Sequence, residues 1–175
     1  MPNTIAPAIA PTDYTTASVL FHAYASSLGL DLTFQNFTNE LANLQDMYSS
    51  PKGVLLLARL ESVIHKDAIG CVGVRSLDPS LGICEMKRLY VGPEGRGKGI
   101  GKALALRAML EAKRLGYVKM RLDTLATMTA LELYRGVGFR DIEAYYHNPL
   151  DGVVYLEADL CRENMLDSYK PKRLE

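Results

Sequence analysis

The chain has 175 residues, of which 48% are hydrophobic and 23% charged. This length suits one domain of ~100–200 residues, and the composition is that of a globular protein, which excludes a disordered chain. The 20 basic residues balance the 20 acidic ones, so no electrostatic footprint for nucleic acid or for an acidic membrane surface is present.

No apolar run approaches the ~18 residues that span a bilayer. Residues 1–11 lack a basic stretch followed by a long apolar one, so no signal peptide is expected. Cys71, Cys84 and Cys161 are widely spaced and form no C-x-x-C pair. They read as reduced thiols of a cytoplasmic protein rather than a disulfide frame or a metal site.

In chain order, residues 4–9 read as a first strand. Thr12 is the expected N-cap of a helix, with Asp13 in its first turn. Val19, Leu20, Ala23, Tyr24, Ser27 and Leu28 then share one helical face, and Gly29 ends it. Phe37, Leu41, Leu44 and Tyr48 mark a second helix, closed by Ser50-Pro51 and Gly53. Residues 54–60 and 68–74 are paired strands around a polar connection, and residues 83–91 form a third strand after the Asp78-Pro79-Ser80 turn.

Residues 92–101 are a glycine-rich loop leading into a helix that runs to Leu115, with Gly116 beyond its end. Residues 118–124 alternate between apolar and charged side chains, as a strand does. A short helix covers residues 129–135. Residues 139–146 and 153–159 bracket an Asn148–Gly152 turn and read as a hairpin. Helix and strand periodicities alternate throughout, the pattern of a layered α/β or α+β fold. The domain is expected to span residues 1–160, leaving 161–175 as a charged tail.

The stretch Gly92-Pro93-Glu94-Gly95-Arg96-Gly97-Lys98-Gly99-Ile100-Gly101-Lys102 carries the chemistry. Glycines at alternate positions allow close approach of the backbone to a ligand. The following helix aims its free N–H groups at the loop, which suits a phosphate or pyrophosphate. A nucleotide P-loop would need Ser or Thr after Lys98, where Gly99 stands. A dinucleotide fingerprint G-x-G-x-x-G is met in no register. The pattern that remains is [Q/R]-x-x-G-x-[G/A], carried by Arg96, Gly99 and Gly101.

With these residues in place, the chain resembles the GNAT superfamily of N-acetyltransferases over roughly residues 4–160. Three pieces carry the resemblance. They are Glu85-Met86-Lys87-Arg88-Leu89-Tyr90-Val91, then residues 96–101, then Ala130-Leu131-Glu132-Leu133-Tyr134-Arg135-Gly136-Val137-Gly138-Phe139. The resemblance implies an α+β, three-layer α/β/α fold whose mixed, mostly antiparallel sheet has splayed central parallel strands. It implies acetyl-CoA as co-substrate. The backbone of Leu89, Tyr90 and Val91 would hold the pantetheine arm, and the amides of Arg96, Gly97, Lys98, Gly99, Ile100 and Gly101 the pyrophosphate. Where the family often has Asn, Thr127 stands as a further cofactor contact.

Acetyl transfer to an amine needs a neutral nucleophile, a donor for the developing oxyanion and a proton for the thiolate. The resemblance assigns Tyr134 as general acid, against a plain core tyrosine. It assigns Glu85 as base, directly or through water, against a carboxylate paired with Lys87 or Arg88. Asp123 is the alternative base, and the Val91 N–H is the candidate for the acetyl oxygen. Lys87 and Arg88 read as solvated strand charges or as anchors for an anionic substrate group. Phe34, Tyr145 and Tyr146 would flank the acceptor. His22, His65 and His147 form no metal motif, and no G-x-S-x-G is present. The expectation is a metal-independent N-acetyltransferase acting on a primary amine of a small molecule. Protein or peptide acetylation and a non-catalytic acyl-CoA-binding module are the alternatives. A homodimer through the edge strand of the last hairpin is compatible with the pattern.

Overall fold

The computed structural model describes residues 3–29, 32, 36–60, 67–126 and 129–162. Thr127, Phe34, His65 and most of the 161–175 tail lie outside the described residues. A seven-stranded sheet runs in the order β1-β2-β3-β4-β5-β7-β6. Its strands are β1 (Asn3–Pro7), β2 (Val54–Leu60), β3 (Ala68–Asp78), β4 (Ile83–Val91), β5 (Lys119–Leu125), β6 (Arg140–Ile142) and β7 (Val153–Asp159). Only β4 and β5 pair parallel; every other neighbour is antiparallel.

Helices cover both faces. α1 (Pro11–Leu28), α2 (Phe37–Ala42) and α3 (Leu44–Met47) lie on one side, and α4 (Ile100–Arg114) and α5 (Ala130–Gly136) on the other. This is why β2 reads as a continuous apolar run rather than an alternation. Leu55 and Leu57 face α1 with Phe21 and Tyr48, while Leu56 and Ala58 face α4 with Leu104 and Ala108. The three-layer α/β/α arrangement implied by the resemblance is the one observed. No helix among the described residues is long and apolar enough to cross a membrane.

Local departures from the sequence reading have physical causes. α1 starts at Pro11, not after Thr12. The Asp13 carboxylate accepts the N–H groups of Ile9 and Ala10 at 2.9 and 3.0 Å, so the cap is supplied from the third helical position. The single helix expected over Phe37 to Tyr48 breaks at Asn43, whose backbone leaves the helical region and whose amide bonds back to Asn39. β1 stops at Pro7, and β3 continues to Asp78, whose carboxylate caps the N–H groups of Ser80 and Leu81. The strand expected over residues 139–146 shrinks to β6. Tyr145 and Tyr146 sit instead in the connection to β7, packed edge-on against Tyr155.

Lys87 and Arg88 are not solvated. They are 7% and 5% exposed. Arg88 has φ +58° and makes β4 bulge against β3, since Gly73 pairs with Lys87 but Cys71 with Tyr90. Its guanidinium forms a double-pronged ion pair with Glu40 of α2, itself 1% exposed. Tyr48 donates its hydroxyl to the same carboxylate, and its ring packs against Gly73, where any Cβ would collide with it. Replacing Glu40 with Ala removes the buried double-pronged partner of this cation, so Glu40→Ala should cost roughly 3–5 kcal/mol in urea unfolding. A loss below about 1 kcal/mol would contradict this account.

Candidate active site

A row of alternating charge crosses five strands. The register places Arg75 of β3 opposite Glu85 of β4, Glu85 opposite Arg121 of β5, Arg121 opposite Glu157 of β7, and Glu157 opposite Arg140 of β6. Arg75 binds Glu85 Oε2 through two nitrogens at 2.8 and 3.0 Å, and Arg121 binds Glu157 at 2.8 Å. Glu85–Arg121 is also the last pair of the parallel ladder, which is only three pairs long. Beyond it β4 and β5 separate, the bulge at Arg88 turning β4 away.

The separation opens a cleft of two connected chambers. The outer one, about 500 Å³, lies between the end of β4, the glycine loop and the start of α5. The inner one, about 60 Å³, is lined by Lys87, Asp123, Thr124, Tyr134 and Asn148 among others. Tyr24, Leu89 and Ala130 line both.

The loop does what its glycines suggest. Gly97 and Gly99 have φ near +73° and +75°, and a Cβ on either would meet nothing, so the conformation rather than space selects glycine. Gly99 is the N-cap of α4, whose first N–H groups, at Ile100, Gly101 and Lys102, face outward as an anion cradle. The N–H groups of Gly97, Lys98 and Gly99 make no backbone bond among the described residues. Arg96 and Lys98 spend their side chains on the loop itself. Arg96 Nε donates to the Val91 carbonyl at 3.2 Å and Lys98 Nζ to the Glu94 carbonyl at 2.6 Å.

At the end of β4, Gly92 N–H donates to Ile69 O at 2.7 Å. Antiparallel alternation therefore turns Tyr90 toward β3 and points the Val91 and Leu89 main-chain groups at the cleft. Of the three strand residues expected to meet a ligand through their backbone, Tyr90 is spent on the sheet. Cleft, cradle and strand edge fit an extended thioester carrier with a diphosphate at one end.

The carboxylates separate by position. Glu85 is 2% exposed, lines neither chamber and has both oxygens engaged. Besides Arg75, Tyr145 donates to Oε1 at 2.8 Å and Lys87 Nζ lies 3.4 Å away. It has no oxygen to offer an incoming amine without breaking this set. Asp123 lines the inner chamber, held by Lys87 at 2.8 Å and by the Asn148 amide at 3.3 Å. Burial raises its pKa, but the charge and hydrogen bond of Lys87, with the Tyr146 hydroxyl and the Arg88 charge, outweigh it and hold the carboxyl below its ordinary range.

Tyr134 projects from α5 into the inner chamber, 7% exposed, its ring edge-on to Phe139 at 5.8 Å. No hydrogen-bond partner for its hydroxyl is found among the described residues. A buried hydroxyl in this state is complementary to something that enters the cleft. Burial, with Tyr24 and Asp123 nearby, pushes its pKa well up, so it stays a proton donor. Sequence reasoning missed Tyr24, which looked like one more apolar position on α1. It also missed Asn148, which read only as a turn residue.

Comparison with known proteins identifies the family and the fold. Residues 51–141 match the acetyltransferase (GNAT) domain family. An uncharacterized N-acetyltransferase of Schizosaccharomyces pombe is 43% identical over 153 residues, covering 87% of this chain and 91% of that one. A crystal structure described as an acyl-CoA N-acyltransferase from Klebsiella pneumoniae superposes with a TM-score of 0.68 at 26% identity, covering 90% of this chain and 97% of the other. The PaiA N-acetyltransferase of Thermoplasma acidophilum, solved with coenzyme A, shares the fold with a TM-score of 0.65 at 18% identity over 91% and 99% of the two chains. The chain belongs to the GNAT family of acetyl-CoA-dependent N-acetyltransferases.

Proposed function

We propose that this enzyme transfers the acetyl group of acetyl-CoA to the primary amine of a small molecule, by direct attack in a ternary complex. The observation that carries this reading is the buried Tyr134 hydroxyl, without a hydrogen-bond partner among the described residues, opening into the chamber between β4 and β5. Acetyl-CoA supplies an activated acyl carbon and a thiolate leaving group. The amides of Gly97 to Gly101 and the α4 N-terminus receive its diphosphate. Leu89 and Val91 hold the arm, and the Val91 N–H donates to the acyl oxygen as it gains charge.

Tyr134 gives its proton to the departing sulfur. Asp123 accepts the hydrogen bond of the incoming amine and takes a proton as the C–N bond forms, when that N–H becomes strongly acidic. Glu85 acts behind it, positioning Lys87 and, through Tyr145, the 143–152 connection. The narrow inner chamber and the neutral chain favour a short amine over a basic protein tail. Buried free thiols at Cys71 and Cys84 fit a reducing, cytoplasmic setting.

Thiol release from acetyl-CoA over a panel of amines tests the acceptor class. Turnover is expected with small primary amines. Exclusive turnover with peptide N-termini or lysines would reassign the substrate. Tyr134→Phe should lower kcat by roughly 10²-fold or more while CoA affinity in calorimetry stays within about threefold.

The pH profile should be lopsided. The acceptor must lose a proton from an ammonium with a pKa near ~10, so kcat/KM should climb about tenfold per pH unit from 6 to 9. Tyr134 has its pKa raised and Asp123 has its pKa lowered, so neither ionises in that window. A falling limb between pH 7 and 9 in the wild type, absent from Tyr134→Phe, would contradict the assignment.

A further inference from the structure

Tyr24 occupies a position that the mechanism above leaves unused. It stands near the end of α1, lines both chambers, and so marks the point where the carrier's arm must meet the acceptor. Its ring packs edge-on against Tyr90 at 6.4 Å, which anchors it to β4 just past the bulge. Behind it lies the Arg88 guanidinium, 5.8 Å from the ring centroid and clamped by Glu40.

We propose that Tyr24 is a second catalytic tyrosine: its hydroxyl donates a hydrogen bond to the thioester carbonyl oxygen, from the wall facing Tyr134. This rests on the acetyl-transfer reading above. Burial raises the Tyr24 pKa, while the Arg88 guanidinium beside its ring opposes that rise and strengthens the hydroxyl as a donor. Tyr24 lines both chambers, and its hydroxyl is offered to the acyl oxygen as that oxygen becomes anionic. The amine lone pair forms the C–N bond and the C=O π pair moves onto oxygen, where Tyr24 and the Val91 N–H hold it. The pair returns as the C–S bond breaks, Asp123 takes the proton that the nitrogen loses and passes it to solvent, the sulfur takes the Tyr134 proton, and solvent restores that proton. Tyr24 gives up no proton at any stage. The buried Arg88–Glu40 pair is then a positioning device for catalysis as well as a tie between α2 and β4.

The test combines kinetics with infrared difference spectra of bound acetyl-CoA carrying a ¹³C carbonyl. Tyr24→Phe keeps the ring against Tyr90, so folding is expected to survive and is checked by thermal unfolding. The expected result is a fall in kcat of roughly 10²-fold with KM for acetyl-CoA nearly unchanged. The thioester carbonyl band should also move to higher frequency in Tyr24→Phe and stay in place in Tyr134→Phe. An unmoved band in Tyr24→Phe, or a kcat within about twofold of wild type, overturns the proposal and leaves the role of Tyr134 standing. A normal kcat in Tyr134→Phe, with the band shifted in Tyr24→Phe, would remove the general acid and keep Tyr24. Failure of wild-type protein to bind acetyl-CoA at all would remove both.

Discussion

The active cleft depends on where the parallel ladder between β4 and β5 stops. That point is held by the cross-strand row Arg75, Glu85, Arg121, Glu157 and Arg140, in which each charge faces its opposite on the next strand. Opposite charges directly across a sheet favour pairing there, and a β-bulge one turn of the pleat later favours separation. The two together set the vertex of the splay at Glu85 and leave Val91, Leu89 and Asp123 facing a common space.

This arrangement explains why two carboxylates on adjacent strands differ. Glu85 sits at the vertex, where the sheet is still closed, and its oxygens are consumed by Arg75, Tyr145 and Lys87. Asp123 sits one step beyond, where the sheet has opened, and lines the chamber. Lys87 bridges them at 3.4 and 2.8 Å, so the structural carboxylate steadies the cation that tunes the other.

The bulge itself is held from outside the sheet. A positive φ at a non-glycine residue is disfavoured by roughly 1–2 kcal/mol and persists only where the surroundings enforce it. Here the enforcement is the Glu40 ion pair with Arg88, backed by Tyr48 seated on Gly73. The opening of the cleft is thereby coupled to the docking of α2 on the opposite layer from α4.

The order of elements, the glycine loop with its following helix, and the Tyr134 segment were all legible in the chain, because each rests on local chemistry. Glycines permit a positive φ, a helix start frees its N–H groups, and apolar spacing marks the faces of α1 and α4. The sequence by itself determined the GNAT family, the place of the glycine loop at residues 96–101 and the helical setting of Tyr134. Only the tertiary structure decided that Glu85 is locked, that Asp123 lines the chamber, that Lys87 and Arg88 are buried pairs and that Tyr24 stands at the junction. Those outcomes depend on partners tens of residues away, such as Glu40 for Arg88 and Tyr145 for Glu85. The charge of a side chain is written in the sequence, but whether water or an opposite charge neutralises it is settled only when distant strands are brought side by side.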